Sequence, residues 1–236
     1  MAIGFAEGAV TKLRREFKLV LSPREAAELA AGISAELSVG AGPPTRITSV
    51  YFDRPGSPLA ERARRTPDDC LKVRTKEYFP DYGSAADRVV LEVKRERGGV
   101  TQKRRVWLPR AALREVVRGP RPALLPLIAG GRLLPTLAVT YVREVFQSTA
   151  AWRITMDRDI RFHAVDAERA LGPRRLTSAE LPAPFAVDER VVVEVKHQSG
   201  ALPAWLEGLS GRRTGYSKFA EGTARCSHPG AQGVGG

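Results

Sequence analysis

Val89–Glu96 reads VVLEVKRE, and Val191–Gln198 reads VVVEVKHQ. Each is a valine run broken by a glutamate and, two residues on, a lysine. β-Branched runs of this length favour strands. In a strand, residues i, i+2 and i+4 share a face. Glu92 and Lys94 therefore point one way, and Val89, Leu91 and Val93 the other. Glu194 and Lys196 stand in the same way against Val191, Val193 and Val195.

The same beat recurs along the chain. Arg14, Glu16 and Lys18 share a face, as do Lys72, Arg74 and Lys76; Lys103 and Arg105; Tyr141 and Arg143; and Arg153, Thr155 and Asp157. A sheet face in contact with water is ordinarily polar, with the two signs interspersed. These faces instead carry many cations and only Glu16, Glu92, Asp157 and Glu194 as carboxylates. The opposite faces are apolar and available for helices. A sheet curled with its charged face inward would make a cationic tunnel, and eight strands suffice for a narrow barrel. Confining like charges is costly unless something compensates. A polyphosphate chain does so, with negative charge and oxygens that accept from Lys and Arg.

Composition agrees with an acidic partner. The 236 residues carry 38 Lys+Arg against 26 Asp+Glu, a net charge of +12. Nucleic acid is the rival reading of that charge. Against it, only 7% of residues are aromatic, no recognition motif is present, and the cations fall inside strands rather than on one surface helix. We therefore expect no specific nucleic-acid partner. Cys70 and Cys226 form no C-x-x-C pair, which fits a reducing, cytoplasmic setting. The first ten residues lack the basic flank and apolar run of a signal peptide, and no stretch approaches the ~20 apolar residues of a membrane span. There is no P-loop motif. His163, His197 and His228 are scattered, so zinc is not expected.

The pattern predicts an α+β domain over residues 11–224, with loose tails at 1–10 and 225–236. Strands are expected at Thr11–Leu21, Arg46–Phe52, Cys70–Tyr78, Arg88–Arg95, Thr101–Leu108, Leu137–Phe146, Trp152–Ile160 and Arg190–His197. Gly98 and Gly99 mark a hairpin turn. A helix begins at Pro23, with Ser22 and Glu25 as its capping box and Ala26, Leu29, Ile33 and Leu37 as its apolar stripe. Shorter helices are expected near Arg110–Val117, Pro203–Leu209 and Ser217–Ala224, and irregular chain from His163 to Asp188. Ser217 reads as the N-cap of the last helix, with Lys218 reaching a tunnel mouth. The expected architecture is an eight-stranded antiparallel β-barrel with helices packed outside.

Nine segments occur in one order: RREFKL, ITSVYFD, CLKVRTKEY, VVLEVKRE, TQKRRVWL, VTYVREVF, WRITMDRDI, VVVEVKHQ and YSKFAEG. This set, running from about Arg14 to Gly222, closely resembles the VTC domain, the polyphosphate polymerase branch of the triphosphate tunnel metalloenzymes. The resemblance implies a tunnel that binds ATP or another nucleoside triphosphate, or inorganic polyphosphate, with Mn²⁺ or Mg²⁺. It implies phosphate ligation by Lys18, Lys72, Arg74, Lys94, Lys103, Arg143 and Arg153, with further contacts from Tyr141, Ser217 and Lys218. Among these, Lys94, Arg143, Arg153 and Lys218 are the candidate catalytic cations. Arg14, Arg105 and Lys196 join the binding set by their place on the charged faces. Arg62 matches an upstream arginine of the family, with Arg64 as the alternative.

Glu194 matches the family's metal carboxylate, and Glu92 and Glu16 are further candidates. If water is the acceptor, Glu16 or Glu92 would orient or deprotonate it. Lys72 departs from the arginine usual in the eukaryotic polymerases. The family branch makes a polyphosphate polymerase the expected activity, with a metal-dependent triphosphatase or a non-catalytic polyphosphate sensor as the alternatives, and in part of the family such a domain is recruited to a membrane assembly.

Overall fold

The structure is a computed structural model; it describes residues 14–37, 42–80, 87–98, 100–118, 132–147, 152–198, 204–207, 209, 212 and 214–226. Eight long strands form one antiparallel sheet. They are β1 (Arg14–Leu21), β2 (Thr45–Asp53), β3 (Asp69–Pro80), β4 (Arg88–Arg97), β5 (Val100–Pro109), β6 (Leu134–Phe146), β7 (Trp152–His163) and, numbered after a short β8 (Ala186–Asp188), β9 (Val191–Gln198). The spatial order is β1-β9-β7-β6-β2-β3-β4-β5, with β8 paired to β7. The sheet is strongly curled, a half-barrel rather than a ring of backbone hydrogen bonds. Register shifts at Tyr51/Phe52 and at Thr140/Val142 mark bulges, which bend strands and add twist.

Helix α1 (Pro23–Leu37) starts as its sequence predicts. The backbone N–H and hydroxyl of Ser22 both donate to Glu25 at 2.8 Å, and the Glu25 N–H donates back to the Ser22 hydroxyl at 3.3 Å. Ala26, Leu29 and Ile33 pack against Phe17, Leu19, Leu21, Ile154, Met156, Val191, Val193 and Val195. Those are the residues that alternate with the charged ones, so α1 covers the convex face.

The remaining helices are α2 (Pro58–Arg65), α3 (Leu113–Arg118), which follows a 3₁₀ turn at Arg110–Ala112, α4 (Ala167–Leu171), α5 (Ala204–Glu207) and α6 (Lys218–Cys226). Three elements, α2, α4 and β8, have no counterpart in the sequence reading; the latter two lie in the stretch expected to be irregular. α6, unlike α1, docks on the concave side. The Phe219 ring stacks on Tyr51 at 4.9 Å, and a Cβ on Gly222 would meet Leu137 and Phe162 at 2.5 and 2.6 Å. Tyr51 and Leu137 stand opposite one another and Tyr51 opposite Arg74, so α6 fills one end of the concave side. It also runs to Cys226, two residues into the expected tail. The apolar segment 123–131 lies outside the described residues, as do Gly99, His228 and the side chain of His197.

Candidate functional site

The concave face gathers its charge around three acidic centres. Glu92 is fully buried. Its Oε1 accepts from Arg74 Nε and Nη2 at 2.8 and 2.5 Å; its Oε2 accepts from Arg105 Nε at 2.8 Å and Lys103 Nζ at 2.9 Å. Lys76 stands 3.9 Å away. Asp157, also buried, takes a bidentate pair from Arg143 at 2.6 and 2.7 Å and one bond from Lys218 at 2.5 Å. The third centre is Glu16 with Glu194, gathered around one lysine. Lys196 lies 3.4 Å from Glu16 and 3.3 Å from Glu194.

The curl of the sheet is what joins these centres. β1 and β4 are far apart in strand order, yet Lys94 of β4 lies 3.8 Å from Glu16 of β1 and 2.5 Å from Glu96. Side chains thus bridge the lip of the half-barrel. Lys72, Lys94 and Lys103 are register partners on three adjacent strands. Side chains directly opposite one another on neighbouring strands lie close, and like charges there repel. Lys18 completes the wall, donating to the Tyr216 carbonyl at 3.1 Å.

Protonation follows from this crowding. Burial, aided by neighbouring cations, lowers Lys18 and Lys103 to about 8, and shifts Lys72 and Lys218 down as well. For Lys94 burial works in the same direction, but Glu16 and Glu96 outweigh it and raise it. Burial alone would raise Glu92; Arg74, Lys76 and Lys103 hold it far below the carboxylate range. Glu16 moves the other way, raised by burial and by Glu194.

A pH dependence follows. Between about pH 8 and the ordinary lysine range the unfolded chain holds lysine protons that the native state has shed. The unfolded state then binds more protons, so stability of the free protein rises with pH across that window. Phosphate binding needs those lysines charged. Tripolyphosphate affinity is therefore expected to fall as pH rises through about 8, with proton uptake on binding, measurable by calorimetry in buffers of different ionisation enthalpy. Uptake that persists unchanged in a Lys18→Met, Lys103→Met double variant would remove these two groups from the account.

The other residues read from the sequence are placed as follows. Tyr141 is buried, with Lys218 and Arg143 over its ring at 4.5 and 5.5 Å. Ser217 is buried and its carbonyl accepts from the Glu221 N–H in the first turn of α6. Arg153 is exposed and donates to Gln147. Arg14 opens β1, opposite Gln198; its side chain lies outside the described residues.

Two of the residues expected in the site have other partners. Arg62 lies on α2 and is committed to Asp69, through its carbonyl at 2.8 Å and its carboxylate; Arg64, the alternative, pairs with Glu61. Glu92 has both oxygens occupied by cations, so it serves as their counter-ion and not as an open metal ligand.

Asp157, Glu96 and Tyr51 contact these cations on the concave face and are not among the candidate site residues of the sequence. Asp157 and its alternation with Arg153 were visible; its pairing with Arg143 depends on the β6–β7 register. Tyr51, whose hydroxyl accepts from Arg74 at 3.0 Å, left no such signal.

A divalent ion can be tested against this donor set. Among the described residues no cluster of three or more His, Cys, Asp or Glu is arranged for a metal. Glu16 and Glu194 nevertheless fit. The two carboxylates lie on either side of Lys196, at 3.4 and 3.3 Å, and Mg²⁺-like ions take one or two carboxylates plus phosphate oxygens.

The sequence pattern of the VTC domain matches residues 13–227. The chain belongs to the VTC domain family. Its curled antiparallel fold is shared with solved structures of low sequence identity. Among solved structures, a candidate adenylyl cyclase from Hippeastrum, described as having a dominant triphosphatase activity, is 15% identical, with a TM-score of 0.54 over 90% of this VTC domain chain and 96% of that chain. A candidate adenylate cyclase from Bacillus halodurans is 14% identical, with a TM-score of 0.51 over 85% and 89%. At these identities the likeness shows the fold alone. No curated protein matches the chain significantly in sequence. Among the described residues no helix of this VTC domain is long and apolar enough to cross a membrane.

Proposed function

We propose that this VTC domain binds the phosphate chain of ATP, or of inorganic polyphosphate, on its concave face and transfers a terminal phosphoryl group to a growing polyphosphate. The observation that carries this is the row Lys72–Lys94–Lys103, flanked by Arg74, Arg105, Lys18 and Lys196, on the inner wall. Phosphoryl transfer is served chiefly by positioning and by neutralising charge.

Arg74 and Arg105 are held rigid by Glu92, and Arg143 and Lys218 by Asp157, so their free donors face the ligand with little freedom to lose. Lys94, between Glu16 and Glu96, stays charged. Arg153, at an exposed position, serves chain entry. Glu16 and Glu194 would hold the Mn²⁺ or Mg²⁺; when bound, that ion neutralises charge on the phosphate oxygens. The end of a polyphosphate is already ionised, so no general base is required.

Hydrolysis is the second reading, and Glu16 favours it. Of the two acids expected as possible bases, Glu92 has both oxygens taken by cations, whereas Glu16 meets only Lys94 at 3.8 Å and Lys196 at 3.4 Å. Incubation with ATP and Mn²⁺ separates the readings. Lengthening chains support the polymerase; phosphate without chains supports the triphosphatase; binding with neither leaves a sensor and overturns both catalytic readings. If tripolyphosphate fails to displace bound nucleic acid, the tunnel reading itself fails.

A further inference from the structure

Two aromatic side chains continue the cationic rows past their last charge. On β3 the row runs Lys72, Arg74, Lys76 and then Tyr78; on β5 it runs Lys103, Arg105 and then Trp107. Alternation puts Tyr78 and Trp107 on the side of the charges they follow. The register agrees, since Val90 is opposite both Lys76 and Trp107. The two rings lie 6.1 Å apart at 33°, and Trp107 is 50% exposed. With a rise of ~3.4 Å per residue, Trp107 stands about 7 Å beyond Arg105 along the strand.

We infer that Trp107, backed by Tyr78, is a stacking platform for the nucleobase of a nucleoside triphosphate whose phosphates lie on Lys103, Arg105 and Arg74. The inference rests on the proposed function and deepens it. Strand spacing puts the platform roughly one nucleoside's reach from the nearest phosphate-binding cation. Stacking accepts any base, because every base has a π face. The platform therefore discriminates by what lies at the end of the phosphate chain. A nucleotide gains the stack and inorganic polyphosphate does not, which favours loading of donor over rebinding of product.

The test compares Trp107→Ala and Trp107→Phe with wild type, titrating tripolyphosphate and the non-hydrolysable β,γ-imido analogue of ATP. Trp107→Ala is expected to weaken the ATP analogue about tenfold, within the range for loss of one base–aromatic stack. It should leave tripolyphosphate affinity and the melting temperature unchanged, and Trp107→Phe should retain most of the analogue's affinity. Equal losses for both ligands, or no loss for either, would overturn the platform while leaving the tunnel intact. Wild-type protein that does not bind tripolyphosphate would sink the tunnel reading, and the platform with it.

Discussion

Glu92→Ala is expected to destabilise the ligand-free protein by about 3–5 kcal/mol, the scale for removing one partner of a buried ion pair. Glu92 is the shared counter-ion of Arg74, Lys103 and Arg105, with Lys76 close by. Removing it leaves those cations facing one another in a partly dry cleft. Tripolyphosphate supplies the missing negative charge, so saturating ligand should recover more stability in the variant than it adds to wild type. Urea unfolding with and without tripolyphosphate measures both terms. Equal stability of variant and wild type without ligand would remove Glu92 as the charge that holds the site together. A ligand effect of the same size in both proteins would show that the phosphate chain lies elsewhere.

Glu194→Ala should behave in the opposite way, losing metal-dependent turnover while keeping the fold. Glu194 and Glu16 share Lys196, which lies 3.3 Å from Glu194. Loss of Glu194 relieves the repulsion between the two acids, and Lys196 retains Glu16 at 3.4 Å. Stability should therefore change little. With only one carboxylate left, the site holds a divalent ion poorly. Turnover in Mn²⁺ should fall to the level of chelator-treated wild type, while tripolyphosphate binding without metal persists. Wild-type turnover in this variant would remove Glu194 from metal binding. A lowered melting temperature would instead mark it as part of the framework.

The placing of charge on one sheet face is legible in the sequence alone. The alternation around Glu92 and around Glu194 placed charge on one face and valine on the other, and both segments are strands. The Ser22–Glu25 capping box announced α1. Lys218, at the start of the last helix, bonds Asp157. Arg62 was not legible: a basic residue on a short helix looks the same whether it faces a ligand or Asp69. Nor was the role of Glu92, since a carboxylate amid cations reads equally as ligand or as counter-ion until its oxygens are counted. β8 and α4 are too short to show a period.

By itself the sequence determined which side chains share a face, because the two-residue repeat of an extended backbone follows from covalent geometry wherever a strand forms. It also determined where α1 begins, because a capping box is closed by residues three apart. Only the tertiary structure decided that β4 and β1 approach closely enough for Lys94 to meet Glu16, that α6 occupies the concave side, and that Glu92 and Asp157 are enclosed by cations. Those relations depend on register, bulges and curl. These are set by contacts between residues tens to hundreds of positions apart, which a local pattern does not encode.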